Sequence, residues 1–378
     1  MTLDISRRTL MGGAAAGSAV LTSGMLTASA ATNAPARPQY LYGPDPADAH
    51  LMFNENPFGP SPAAVRALSQ ASVRGAYYQG KSVMYLMSMI AERHGVDPQQ
   101  VLITNGSYEV LTATALAYGK EGKILGPDLF WDSTSRYAEV NGYTEIVRAP
   151  MADGLQIDLD ALKSSVTSDI SMVQVVNPNN PTGRLLPPRA LRRFCREVSQ
   201  QTTVLVDEAY MEISENPERN TMMDLIRDGY DVIIGRTFSK IYGMAGLRVG
   251  YIIAKPEIIA KVRPFVMSSP NVAGIAAAIA SYNDDAFLAY SKSKIMEAKE
   301  MIVDATRANG LNPLPSETSF VFVDVGMDAE LFRSRLAEKR VLVRGVYGEY
   351  TNYSRVSTGH ISDVERYVEA LPYALEGA

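Results

Sequence analysis

Short runs of β-branched and other apolar residues recur along the chain at 101–104, 123–125, 145–147 and 172–176, and again at 204–206, 232–235 and 249–253. Between them lie segments with helical spacing of their apolar positions, among them 107–118, 133–141 and 188–200. Strands separated by helices predict a mostly parallel sheet, here of seven strands, covered by helices on both faces. After about Pro264 the pattern changes. Long helical stretches now precede strand-like runs at 320–324, 341–343 and 353–357, which read as a smaller α+β domain. The expected class is therefore α/β, with a large domain over 64–264 and a small C-terminal domain over 265–378. An N-terminal segment over 31–63 precedes them. No internal repeat or low-complexity segment interrupts the mature part of the chain.

The first thirty residues read as an address rather than as fold. Ser6-Arg7-Arg8-Thr9-Leu10-Met11 leads into an apolar stretch rich in Ala and Gly that runs to about Thr27, and Ala28-Ser29-Ala30 follows as a small-residue cleavage pattern. That is the layout of a secretory signal, and the paired arginines predict its twin-arginine form. A membrane anchor is the alternative, and Gly12, Gly13, Gly17 and Gly24 weaken the apolar run that it would need. The expectation is a signal peptide over 1–30, cleavage near Ala30, the twin-arginine export machinery as a partner, and a periplasmic or secreted product. Residues 31–38 read as a short leader.

Composition narrows the field without naming a chemistry. The formal net charge of the 378-residue chain is −5, so no basic nucleic-acid face is expected. Cys195 is the one cysteine, and the three histidines His50, His94 and His360 are scattered. An intrachain disulfide is impossible and a metal site is not expected.

Four motifs fall where predicted strands end, the position at which open α/β sheets bind ligands. Asn105-Gly106-Ser107 opens a helix, whose free N–H groups and positive dipole end suit a phosphate, although the motif taken alone reads first as a plain helix capped by Ser107. Asn177-Pro178-Asn179-Asn180-Pro181-Thr182-Gly183 is a strong turn signal with an excess of asparagine, whose amides can donate to a ring oxygen. Val206-Asp207-Glu208-Ala209-Tyr210 ends a buried strand on a carboxylate, which needs a partner such as a protonated ring nitrogen. A nucleotide-hydrolase acid is the competing reading, but the chain has no Walker glycine loop. In Thr237-Phe238-Ser239-Lys240, followed by a glycine-rich turn to Arg248, a lysine sits among hydroxyl residues. A semi-buried lysine can attack carbonyls, and Thr237, Ser239 and Arg248 can hold a dianion beside it.

In this order the motifs resemble the fold-type I pyridoxal-phosphate aminotransferases of class I/II, from about Leu51 to the end. Asn54-Glu55-Asn56-Pro57-Phe58-Gly59-Pro60 is similar to the N-terminal signature of the histidinol-phosphate aminotransferases. The resemblance implies an aspartate-aminotransferase-like fold, pyridoxal 5'-phosphate as cofactor and a ping-pong exchange between an amino-acid donor and a 2-oxo-acid acceptor. It implies Lys240 as the Schiff-base lysine and proton carrier, and Asp207 on the ring nitrogen. Tyr210 and Asn180 would bond the ring's phenolic oxygen. Gly106, Ser107, Thr237, Ser239 and Arg248 would cradle the phosphate, with Trp131 stacked on the ring and Phe130 as its fallback. Tyr78, with Tyr77 as fallback, would reach the neighbouring subunit's phosphate, which implies a homodimer. Arg355 would grip the substrate's anionic group, with Arg344 and Asn180 in the same pocket.

Three positions depart from the family pattern: Tyr108 where an acid is usual, Gln79-Gly80 after Tyr78, and Ser319 before Phe320. The export signal argues against histidine biosynthesis, a cytoplasmic pathway. The competing functions are another pyridoxal-phosphate reaction (decarboxylase, racemase or lyase) and an exported binding protein on the same scaffold.

Overall fold

The computed structural model describes residues 41–376; the signal and leader expected at 1–38 lie outside them. From Pro44 the chain forms one compact unit. Its strands, in chain order, begin with β1 (Ala49–Leu51), β2 (Val101–Thr104), β3 (Lys123–Pro127), β4 (Ile146–Ala149), β5 (Met151–Ala152), β6 (Gln156–Ile157) and β7 (Ile170–Val176). They continue with β8 (Thr203–Asp207), β9 (Val232–Thr237), β10 (Gly250–Ile253), β11 (Asn312–Pro313), β12 (Phe320–Asp324), β13 (Val341–Val343) and β14 (Tyr353–Ser357).

Seven of these strands form the main sheet, in the order β2-β10-β9-β8-β7-β3-β4. Pairing is parallel throughout except at β10, which runs antiparallel to both of its neighbours. Side chains alternate across the sheet, so both faces need cover. Val204, Val206, Val232 and Ile234 enter one apolar cluster, whereas Leu205 and Ile233 enter another on the opposite face. This explains why the strands read as unbroken apolar runs. The fold is the expected α/β architecture.

Register sets the site. Asp207 at the end of β8 pairs with Gly235 of β9, and Val176 of β7 pairs with Asp207. Because β10 is reversed, its first residue, Gly250, pairs with both Thr237 of β9 and Thr104 of β2. The loops carrying Gly106, Asn180, Asp207, Lys240 and Arg248 therefore all emerge at one edge of the sheet.

A third apolar cluster is built on the smaller sheets. β1 pairs with β13, and β11-β12-β14 form an antiparallel sheet. Val321, Val323, Val343 and Val356 pack there against helices 329–338 and 361–374. One long helix, Asp285–Ala308, serves both regions: Ile295 enters the main cluster, and Ala298, Ile302 and Ala305 enter the smaller one. Helix Val272–Ser281 gives Ile275, Ala277 and Ala278 to the main cluster. Among the described residues no helix is long and apolar enough to cross a membrane, and no group of three or more His, Cys, Asp or Glu could hold a metal ion. Cys195 is buried.

Candidate active site

At the shared strand edge lies a cavity of about 590 Å³. Asp207, Tyr210, Thr237, Ser239, Lys240 and Arg248 line one part of it; Ser107, Trp131, Asn180, Arg344 and Arg355 line the rest. Of the residues singled out in the sequence, Gly106 adjoins the cavity through Ser107 and Arg248, and Tyr78 stands apart from it.

Asp207 is 3 % exposed, and its carboxylate accepts one hydrogen bond, from the Ala209 N–H at 3.1 Å. Among the described residues no cation forms a salt bridge with it. Burial pushes its carboxyl up from the usual carboxylate range to about 7. The next residue, Glu208, faces the other way. It is fully buried but accepts from Arg236, from the Thr221 hydroxyl and from the Met222 N–H. One carboxylate is thus satisfied by the fold, and its neighbour is left open toward the cavity.

The Lys240 ammonium donates to the backbone carbonyl of Asn54 at 3.1 Å. Burial, reinforced by the positive charge of Arg355, lowers its pKa to about 8. A sizeable fraction of free amine near neutral pH is the condition for attack on a carbonyl. Its nitrogen also lies 5.5 Å from the centre of the Tyr210 ring. The Tyr210 hydroxyl, raised to about 12 by burial, keeps its proton and remains a donor.

The anion cradle is built from both ends of the chain segment around β10. Helix Ser107–Gly119 begins behind Gly106 without a side-chain cap, so Ser107 is its first residue rather than its cap and the leading N–H groups stay available. Gly106 has φ +80°, and a Cβ there would come within 2.1 Å of the Arg248 guanidinium. Arg248 itself adopts φ 53°, and its guanidinium donates to the Ala245 carbonyl at 2.8 Å. Thr237 and Ser239 hydroxyls lie 3.0 Å apart beside it. Only glycine at 106 lets the guanidinium approach the helix start so closely.

Arg355, 7 % exposed, donates to Asn180 Oδ1 at 2.7 Å and to the Met52 carbonyl at 2.8 Å. Its Nε is buried without a partner among the described residues. Since the Asn180 carbonyl oxygen is occupied by Arg355, the amide NH₂ is free to donate. Arg344 is exposed on the cavity wall, joined to Arg355 by two backbone hydrogen bonds. Trp131 lines the cavity with Phe130, and its ring meets that of Tyr108 edge-on at 5.8 Å. Tyr78 is 96 % exposed, and Tyr77 is 67 % exposed.

Among the cavity residues with no role apparent in the sequence, Asn54 and Arg136 stand out. Asn54, in the Asn54–Pro60 run, touches Lys240, Tyr210 and Ser357. Arg136 lines the cavity from helix Ser133–Val140. Nothing in sequence marks it apart from other exposed helical arginines.

Together the donor set fits a planar pyridine-type aldehyde bearing a phosphate. The open buried carboxylate would suit a ring nitrogen, the amine a carbonyl, and the glycine-cleared helix start with Arg248 a dianion.

Comparison with known proteins agrees with that chemistry. The family described as aminotransferase class I and II matches residues 49–371. The histidinol-phosphate aminotransferase of Moorella thermoacetica is 37 % identical over 330 residues, covering 85 % of this chain and 84 % of that protein. That of Symbiobacterium thermophilum is 35 % identical over 332 residues, 86 % of this chain and 90 % of that protein. The crystal structure of histidinol-phosphate aminotransferase from Sinorhizobium meliloti in complex with pyridoxal-5'-phosphate aligns with a TM-score of 0.79 at 29 % identity, covering 86 % of this chain and 90 % of that one.

Proposed function

The chain belongs to the class I and II aminotransferases, and from that membership we propose a division of labour for its cavity residues, an exported location and a paired subunit. The reaction is pyridoxal-phosphate-dependent transamination between an amino acid or related amine and a 2-oxo acid. When bound, the cofactor supplies a carbonyl that takes up the amino group and a ring that accepts the electron pair freed at the substrate's α carbon.

Lys240 Nζ, which burial favours in the neutral form, would be the amine that holds that carbonyl carbon, with the carbonyl oxygen released as water, and would afterwards carry the α proton. Asp207 holds the ring-nitrogen proton; its burial without a cation is the single observation that most supports the reading. The Tyr210 hydroxyl and the Asn180 amide donate to the ring oxygen. Ser107 N–H, Thr237, Ser239 and Arg248 hold the phosphate. Trp131 covers the ring and limits water access. Arg355, with its unpartnered Nε, clamps the substrate's anionic group, and Arg344 extends that clamp toward the cavity mouth. A screen of amino donors against 2-oxoglutarate and pyruvate tests the activity and identifies the donor; no keto-acid turnover with any donor would sink it.

Export by the twin-arginine route to the periplasm or beyond is supported by Arg7, Arg8 and the Ala28-Ser29-Ala30 pattern. Changing both arginines to lysine is expected to retain the protein inside the cell. A homodimer is supported by Tyr78, which is exposed in the single subunit and to which the family resemblance gives a role in a neighbouring subunit's phosphate site. Sedimentation of an active monomer would contradict it.

A further inference from the structure

Asn54 sits where three parts of the site meet, in contact with Lys240, Tyr210 and Ser357. Its backbone is left-handed, at φ 56°, a conformation that asparagine tolerates better than most side chains. Its own carbonyl oxygen accepts from Lys240 Nζ at 3.1 Å. Its backbone N–H donates to Ser357 Oγ at 2.9 Å, and Ser357 Oγ lies 2.7 Å from Asn54 Oδ1. Because the serine oxygen receives that N–H, its single proton points to Oδ1, which fixes the amide's orientation. The amide NH₂ then faces the Tyr210 hydroxyl at 3.0 Å.

A hydroxyl that accepts an N–H on one side turns its own proton to the other. For Tyr210 the other side is the cavity. We propose that Asn54, locked by Ser357, is a positioning residue that aims the Tyr210 proton into the cavity and so makes Tyr210 an obligate donor to the cofactor's ring oxygen. The proposal rests on the reading of Tyr210 given above. It also joins two regions, since Ser357 lies on β14 two residues from Arg355 and so shares its face. The strand that carries the substrate clamp therefore also orders the donor on the cofactor.

The test is a double-mutant cycle read by the visible absorbance of the protein carrying pyridoxal phosphate, titrated with pH. Asn54→Gly keeps the left-handed backbone accessible and removes the amide. It is expected to raise the titration midpoint by about half a pH unit, because a freely rotating hydroxyl donates less to the anionic oxygen. In a Tyr210→Phe background the same change is expected to produce no shift. Ser357→Ala is expected to shift the midpoint in the same direction by less, and it carries the test if Asn54→Gly does not retain the cofactor. An unchanged midpoint, or equal shifts with and without the Tyr210 hydroxyl, overturns the proposal while leaving the transaminase reading intact. If Tyr210→Phe alone leaves the midpoint in place, the role given to Tyr210 falls and takes this proposal with it.

Discussion

The two sides of the sheet at the end of β8 treat adjacent carboxylates in opposite ways. Behind the sheet, Glu208 meets the Arg236 guanidinium at 2.6 Å, and Arg236 reaches Glu212 at 2.8 Å. Every strong partner there is supplied by the chain. On the cavity side, Asp207 has a single backbone donor, Arg355 an orphaned Nε, and Lys240 a lowered pKa. The rear face is a closed electrostatic circuit that serves the fold. The front face is an open one, completed only by a ligand. Open valences at a buried site, more than burial or charge alone, mark the functional side.

The largest effect expected from breaking this contrast is at Lys240. Lys240→Ala should lower transamination by more than about a thousandfold, since nucleophile and proton carrier are lost together. Borohydride should then no longer link the cofactor to the chain. Next comes Asp207→Asn, expected to lower kcat about a hundredfold by leaving the ring nitrogen without its anion. Glu208→Gln should do the reverse, reducing stability by about 3 kcal/mol because Arg236 loses a buried charge partner, with kcat changed only a few-fold. Chemical denaturation and steady-state kinetics on the two variants separate the faces, and interchanged outcomes would break the comparison.

The pH dependence sharpens it further. Without cofactor, Asp207 in the folded protein holds its proton up to about 7, whereas the unfolded chain releases it near the usual carboxylate value. Folding therefore loses stability as pH rises through that window. Cofactor-free Asp207→Asn should melt higher than wild type at pH 7.5, and the gap should close toward pH 4. At the substrate end, Arg355→Lys should raise KM for an anionic substrate about tenfold with a smaller change in kcat, because the planar fork is lost. The smallest effect is expected at Tyr78→Phe, a weakening of cofactor affinity by about fivefold, the worth of one hydrogen bond. Equilibrium dialysis on the purified protein measures it.

Much of the fold could be read from period alone. β8 was expected at 204–206 and spans Thr203–Asp207; β9 was expected at 232–235 and spans Val232–Thr237. Such runs are legible because both faces are buried, so the residues before the strand ends are apolar. The direction of β10 was not legible, since an apolar run reads the same in either orientation. Lys240, Asp207 and Arg248 were legible as site residues because each is a polar group in an otherwise apolar or glycine-rich context. Asn54 was not, because its importance lies in a left-handed turn and in contacts with residues far away in sequence. Arg136 was not, because a cavity wall and an open helix surface call for the same residue.

The reversed strand β10 also bears on how the protein is assembled. Thr237, Ser239, Lys240 and Arg248 all lie on the antiparallel pair β9 and β10 or on the loop that joins them, so they are close in sequence as well as in space. Gly106 and the helix start behind it arrive from far upstream, and they meet that pair only when β2 docks on the outer edge of β10. The anion seat is therefore a seam between a piece that is local in sequence and one that comes from more than a hundred residues upstream. A phosphate bound there favours the docked state by mass action, so the cofactor acts as a clasp on maturation as well as a reagent.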